Sequence, residues 1–209
     1  TTAHTMPDTF YHGVKAVDCM GNESDISNFP TGQTVDFKVQ QIDGTKAFGF
    51  PVVGGDFNCD NLSDMAIGLG GDNSNKGEVQ IFFSTGAGLP STFSKKISAT
   101  VAGGAFGQKL AALDFNGDGC SDLAVTASKQ DSNRGKVYLY LGKKVWADRD
   151  DVSTGKGAEV IYQLGTTAAK TEQLGFTLAG ADLTGDGSDD LAMSHWDKLG
   201  TKWATVAVD

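Results

Sequence analysis

No run of apolar residues in this chain approaches the roughly eighteen needed to span a bilayer. Positive charge is short as well: 17 Lys and Arg stand against 26 Asp and Glu, a formal net charge of -9. A protein that grips phosphates needs a basic face, so nucleic acid is excluded as a partner. The first ten residues, TTAHTMPDTF, carry neither the basic nor the apolar region of a signal peptide. The chain is therefore expected to be soluble, with any export signal removed or never part of it. Catalytic signatures are missing too, since neither G-x-S-x-G nor H-E-x-x-H occurs and no cysteine is an obvious partner for His4, His12 or His195. The three cysteines, Cys19, Cys59 and Cys120, lack the C-x-x-C pairs of a zinc site. At most one disulfide can form. Cys19 with Cys59 is the expected pair, because Cys59 and Cys120 fall in separate copies of a repeat; three free thiols are the alternative.

What is present is a repeat. FGFPVVGGDFNCDNLSD (48–64), FGQKLAALDFNGDGCSD (106–122) and LGFTLAGADLTGDGSDD (174–190) align without gaps over seventeen positions. The first Asp of each acidic loop recurs at 56, 114 and 182, spacings of 58 and 68 residues that suit a four-stranded unit. In each copy a strand (PVVGG, KLAAL, TLAGA) enters the loop and another (DMAIGL, DLAVTA, DLAMSHW) leaves it. Turn-rich DNSNKG (72–77) and DSNRG (131–135) follow, then a β-branched and aromatic strand, EVQIFFS, KVYLYLG or ATVAV. KKISATV (95–101) and EVIYQL (159–164) close the first two copies, and the third stops after its third strand. Upstream, YHGVKAVDCMGNESDI (11–26) reads as a decayed copy with Asp18 near the first loop position, and TVDFKVQQI (34–42) as a strand of it. The domain map is thus a partial unit at 1–44 and repeat units at 45–104, 105–172 and 173–209. The fold class is all-β, with three to three and a half units of four antiparallel strands.

Counted from their first Asp, the loops read D-x-[NT]-x-D-[GN]-x-x-D. Side-chain oxygens at positions 1, 3, 5 and 9 and the carbonyl of position 7 can wrap a hard cation, while position 6 must turn sharply. The candidate ligands are Asp56, Asn58, Asp60, Asp64 and the Leu62 carbonyl; Asp114, Asn116, Asp118, Asp122 and the Cys120 carbonyl; and Asp182, Thr184, Asp186, Asp190 and the Ser188 carbonyl. Asn61 replaces Gly at the first turn, and Asn tolerates positive φ. Thr184 is a poorer donor, so the third site is expected to be weaker. Carboxylates held about 5 Å apart repel by roughly 3 kcal/mol per pair at an effective protein dielectric, and a divalent cation reverses that sign. An oxygen-only set with five donors favours Ca²⁺ over zinc or Mg²⁺. Three such ions would reduce the formal charge to about -3. An EF-hand is excluded: its position 12 needs Glu, where this chain has Ile67, Val125 and Met193, and its flanks need helices.

With its Phe48-Gly49, Phe106-Gly107 and Leu174-Gly175 dipeptides each leading a small-residue strand into such a loop, the chain resembles the FG-GAP repeat family over about residues 45–209. This is the family of the β-propeller blades at the head of integrin α subunits. The resemblance implies blades around a central axis, usually about seven, with Ca²⁺ loops on the lower face. Ligands would then meet the upper face, at 70–77, 128–135 and 194–202 and at the inter-blade segments 43–47, 102–105 and 165–173. His195 and Trp196 are the candidate ligand-binding residues there. Too few blades are present to close a ring, which leaves strand edges to be covered. A longer propeller, a homodimer completing one ring, or capping by the N-terminal segment would each do so, with the dimer slightly favoured.

The expected function is a calcium-stabilised, integrin-like binding module, secreted or on the cell surface, recognising a protein or glycan. The alternative is the non-catalytic propeller portion of a secreted hydrolase or lyase. The sequons at Asn22 and Asn61 are expected to be chance matches, the second lying inside a metal loop.

Overall fold

The computed structural model describes residues 51–144, 146, 158, 160–163, 173–196 and 203–208. All belong to the second of two compact units, Gln41–Asp209, the first being Thr1–Gln40. The decayed copy at 11–26, the strand at 34–42, Phe48-Gly49, Cys19, His4, His12 and Asn22 lie outside the described residues.

Among the described residues, eleven strands form three antiparallel sheets. The first sheet orders β1 (Val52–Gly55), β2 (Asp64–Gly68), β3 (Glu78–Phe82) and β4 (Lys95–Ser98) side by side. The second repeats this with β5 (Phe106–Leu113), β6 (Asp122–Ala127), β7 (Lys136–Tyr140) and β8 (Val160–Tyr162). The third has β9 (Leu178–Ala181), β10 (Asp190–Trp196) and β11 (Trp203–Val208). The strand order in each sheet is that expected from the repeat, and β4 takes up the first four residues of the run at 95–101. In the third, β10 runs through Trp196, opposite Trp203, as the run DLAMSHW predicts, so residues 194–196 of the expected upper-face segment are strand.

Register follows from the acidic loops. The ninth-position Asp opens the second strand of each blade and pairs with the last residue of the first: Gly55 with Asp64, Leu113 with Asp122, Ala181 with Asp190. Because side chains alternate across a strand, this pairing also decides which apolar residues face which neighbour. Leu123, Val125 and Ala127 pack towards blade 1 with Phe57, Val79, Ile81, Ile97 and Phe106. Ala124 faces the other way, with Val137, Leu139, Leu174, Leu191 and Met193. Every residue of β6 is buried, as expected for a strand covered on both faces.

The Phe-Gly and Leu-Gly dipeptides make the junctions between blades. The turns at Asp72–Asn75 and Gln130–Asn133 run left-handed, with φ of 61° at Ser74, 58° at Asn75, 53° at Asp131, 62° at Ser132 and 66° at Asn133. Such backbone suits Asn and Asp best. It turns carbonyls towards the next blade. The N–H groups of Ala105 and Phe106 donate to the Asn75 and Lys76 carbonyls at 2.9 and 3.1 Å, and those of Gln173 and Leu174 to the Asn133 and Arg134 carbonyls at 2.9 and 2.8 Å. Phe106 and Leu174 then fill the space between sheets, Phe106 standing edge-on to Tyr138 with ring centroids 5.7 Å apart. The following Gly107 has φ +82°, and a Cβ there would lie 2.6 Å from the Glu78 carbonyl oxygen. Only glycine meets both conditions without displacing the neighbouring blade.

Candidate metal centre

The three acidic loops are the hairpin connections between the first and second strands of each blade. In loop 1, Asp56 accepts from the Asp60 and Asn61 N–H groups at 3.0 and 2.7 Å, while Asn58 Oδ1 accepts from the same Asp60 N–H at 3.1 Å. Asp60 in turn accepts from Leu62 N–H and from Asn58 Nδ2. Loop 2 repeats every one of these bonds through Asp114, Asn116, Asp118, Gly119 and Cys120. Loop 3 keeps two of them: Gly187 N–H to Asp182 and Ser188 N–H to Asp186. With Thr184 at position 3 the amide bridge is gone, and Asp182 Oδ1 accepts from Gly185 instead. Asn61 does take positive φ, 66°, as its place at position 6 requires.

The ninth-position carboxylates point inward. Asp64 accepts from Phe57 and Ser84 N–H groups at 3.0 and 2.8 Å, and Asp122 from Phe115 and Gly142 at 2.8 and 2.7 Å. Asp190 accepts from Leu183 and Thr184. Burial pushes the Asp122 carboxyl up to about 6; the Gly142 and Phe115 bonds oppose the shift, and the charges of Asp118 and Asp114 add to it. Asp64 is raised in the same way, burial again being the largest cause.

Among the described residues, no three His, Cys, Asp or Glu side chains are drawn together as metal ligands are. The ninth Asp is held by the sheet while the first and fifth stay in the loop. The donor chemistry nevertheless fits a hard cation. Every candidate donor is an oxygen, the position 1 and 3 oxygens crowd one N–H, and a carboxylate oxygen that accepts one hydrogen bond keeps a further lone pair.

The raised Asp122 carboxyl has a measurable sign. Ionising it costs more in the folded than in the unfolded chain, so the stability it contributes is full below about pH 4 and falls as pH rises through about 6, by an amount on the order of 3 kcal/mol. In calcium-free buffer, wild type should therefore gain on Asp122→Asn between pH 7 and pH 4.5 in urea unfolding. A difference that does not change with pH would show that the ionised form meets no penalty.

Adjacent loops are tied to each other. Ser121, at position 8 of loop 2, donates its N–H to the Asp56 carbonyl at 2.8 Å and accepts the Asp56 N–H on Oγ at 3.1 Å. Asp189, at position 8 of loop 3, does the same to Asp114, with both bonds at 2.8 Å. Beside the first pair, Cys59 and Cys120 form a disulfide with a Cα separation of 5.2 Å. This corrects the expected Cys19–Cys59 pairing and also the three-thiol alternative. Separate copies of the repeat are neighbours in space, and stacking the blades sets position 4 of one loop against position 7 of the next. Trp146, 89 residues from Phe57 in sequence, closes over loop 1 by donating Nε1–H to the Phe57 carbonyl at 2.7 Å. Its ring stands edge-on to that of Phe57.

The two candidate ligand residues are strand residues. His195 sits opposite Ala204 in β10, its Nδ1 buried without a hydrogen-bond partner among the described residues, and Trp196 ends the strand.

Stacked antiparallel sheets of three or four strands, each carrying an acidic hairpin loop at the same place, define a blade-built repeat protein. Residues 106–140, from β5 to the end of β7, match the FG-GAP repeat family, so the chain carries an FG-GAP repeat in its second blade. It is 31% identical over 160 residues to human phosphatidylinositol-glycan-specific phospholipase D, a match covering 69% of this chain and 18% of that protein. It is 32% identical over 153 residues to Drosophila melanogaster integrin alpha-PS5 and 27% identical over 151 residues to Xenopus laevis integrin alpha-4, each match covering 70% of this chain and 14% of the relative. The chain thus spans less than a fifth of the length of these relatives.

Proposed function

We propose that the chain is a calcium-stabilised, integrin-like β-propeller binding module that acts outside the cell, recognising a protein or glycan through its upper-face loops. The observation that carries this reading is the matching hydrogen-bond pattern of loops 1 and 2, which holds oxygens of the same kind in the same places. Asp56, Asn58, Asp60, Asp64 and the Leu62 carbonyl would hold one ion. Asp114, Asn116, Asp118, Asp122 and the Cys120 carbonyl would hold a second, and Asp182, Thr184, Asp186, Asp190 and the Ser188 carbonyl a weaker third. A bound ion supplies the positive charge that these carboxylates lack near them, and so stiffens the loops. The disulfide favours an oxidising compartment. The likeness to integrin subunits favours adhesion or recognition, for which His195 and Trp196 would be the contact residues. Calorimetric titration with Ca²⁺ tests the metal, about one ion per loop being expected and no uptake refuting it. A glycan and protein array run beside esterase and glycosidase substrates tests the role. The relative named as a phospholipase D supports one second reading, that of a non-catalytic portion of a longer hydrolase, which the same panel separates.

The flank of blade 3 calls for a cover. Phe57 at position 2 of loop 1 is fully buried under Trp146 from the next blade, whereas its counterpart Leu183 in loop 3 is 61% exposed. A second copy completing the ring would bury it. Light scattering during gel filtration should then give twice the chain mass of 21.8 kDa, and a monodisperse monomer would exclude the dimeric ring.

A further inference from the structure

The seam between loops repeats along the blades, but only one of its repeats is covalent. Cys59 is position 4 of loop 1 and Cys120 position 7 of loop 2. The same two positions one blade on are Gly117 and Ser188, and a Cβ on Gly117 would lie 2.8 Å from Ser188 Oγ. Position 4 has left-handed backbone in both, φ 61° at Cys59 and 67° at Gly117. The two junctions also share the hydrogen-bonded pair between position 1 and position 8. The first junction adds the disulfide and the bonds from Lys143 N–H and Trp146 Nε1–H to the Phe57 carbonyl.

That bond joins candidate ligands. Cys59 lies between Asn58 and Asp60, and the Cys120 carbonyl is itself the expected main-chain donor of the second site. Holding Cys59 in place restricts both neighbouring side chains, and holding Cys120 fixes the direction of its carbonyl. Groups that orient metal ligands without touching the ion commonly account for tenfold to hundredfold in affinity, and ordering loops beforehand lowers the entropy lost on binding.

We propose that Cys59 and Cys120 are positioning residues whose disulfide locks the first two loops into one paired calcium site, while the third loop, tied to its neighbour by hydrogen bonds alone, binds independently and more weakly. This rests on the calcium reading above. Reduction by a dithiol undoes the lock: two electrons and two protons pass to the two sulfurs, giving two thiols, and the reductant closes into its own disulfide.

Calorimetry with Ca²⁺ on the full chain should show a tight phase of two ions and a weaker phase of one. In Cys59→Ser with Cys120→Ser, and in dithiol-treated wild type, the tight phase should weaken about tenfold or more while the weak one stays within about twofold. Unchanged affinities in both would overturn the proposal, and so would an equal loss in all phases. Should the double variant fail to fold, the converse remains. Gly117→Cys with Ser188→Cys, at a position where Cys59 already tolerates the same backbone, should bridge loops 2 and 3 and raise the third ion's affinity about tenfold. A general loss of rigidity would not produce that gain, and a bridge that forms without it refutes the coupling. Absence of calcium uptake by every form, wild type included, would instead refute the calcium reading itself.

Discussion

Removing calcium should lower the thermal midpoint by about 5–10 °C for each loop that holds an ion. An ion bound only by the native state adds about 2.7 kcal/mol when its free concentration is a hundred times the dissociation constant. In a chain of this length 1 kcal/mol shifts the midpoint by roughly 2–4 °C. On the proposed reading the ion would act on the carboxylates at positions 1 and 5, where, among the described residues, the first-position Asp residues of loops 1 and 2 accept only main-chain N–H groups, those of Asp60, Asn61, Asp118 and Gly119. Scanning calorimetry with chelator and with millimolar Ca²⁺ measures the difference directly. Mg²⁺ at the same concentration should restore little of it, because it prefers tight octahedral geometry and retained water. Coincident melts with and without chelator would remove the metal from the account of stability.

Breaking the junction between blades 1 and 2 should be the most damaging single change to the fold itself. Phe106→Ala empties a fully buried site lined by both sheets and is expected to cost about 3–5 kcal/mol, a fall in midpoint of roughly 10 °C. Gly107→Val attacks the same seam through the main chain. It places a β-branched residue at φ +82° with its Cβ 2.6 Å from the Glu78 carbonyl oxygen, so a loss of several kcal/mol is expected although no core side chain is removed. Urea unfolding of the two variants against Val52→Ala, at an exposed site, checks both values. If Gly107→Val behaved like the control, the dipeptide would not be the joint described above.

Much of this was legible in the chain before any coordinates. Short β-branched, aromatic and small-residue runs bounded by turn-rich segments gave the strands, because a sheet covered on both faces, as at β6, buries side chains on each side. The Asp pattern gave the hairpin loops, because so many like charges in nine positions make sense only where backbone N–H groups or a cation can meet them. Other features were hidden for physical reasons. DNSNKG and DSNRG read as exposed turns suited to ligands, yet their left-handed backbone serves to aim carbonyls at the next blade, and nothing in residue type distinguishes the two uses. The disulfide depends on which loops become neighbours, information held in the stacking rather than in either copy. Trp146 belongs to no repeat position, so its closure over Phe57 could not be read from self-similarity. The inward turn of Asp64, Asp122 and Asp190 was likewise invisible, since position 9 looks the same whether it faces a cation or the amides of its own sheet.

The blade junctions have one more implication, for how such a chain can change over generations. What one blade offers the next is a pair of peptide carbonyls, and what it receives is a pair of peptide amides followed by a residue without a side chain. The hydrogen bonds of that handshake run between main-chain atoms, so beyond the turn, the apolar residue between the sheets and the missing Cβ they make no demand on side chains. Duplicated units can therefore drift apart over most of their length and still stack in order, provided the twist of the turn and the missing Cβ survive.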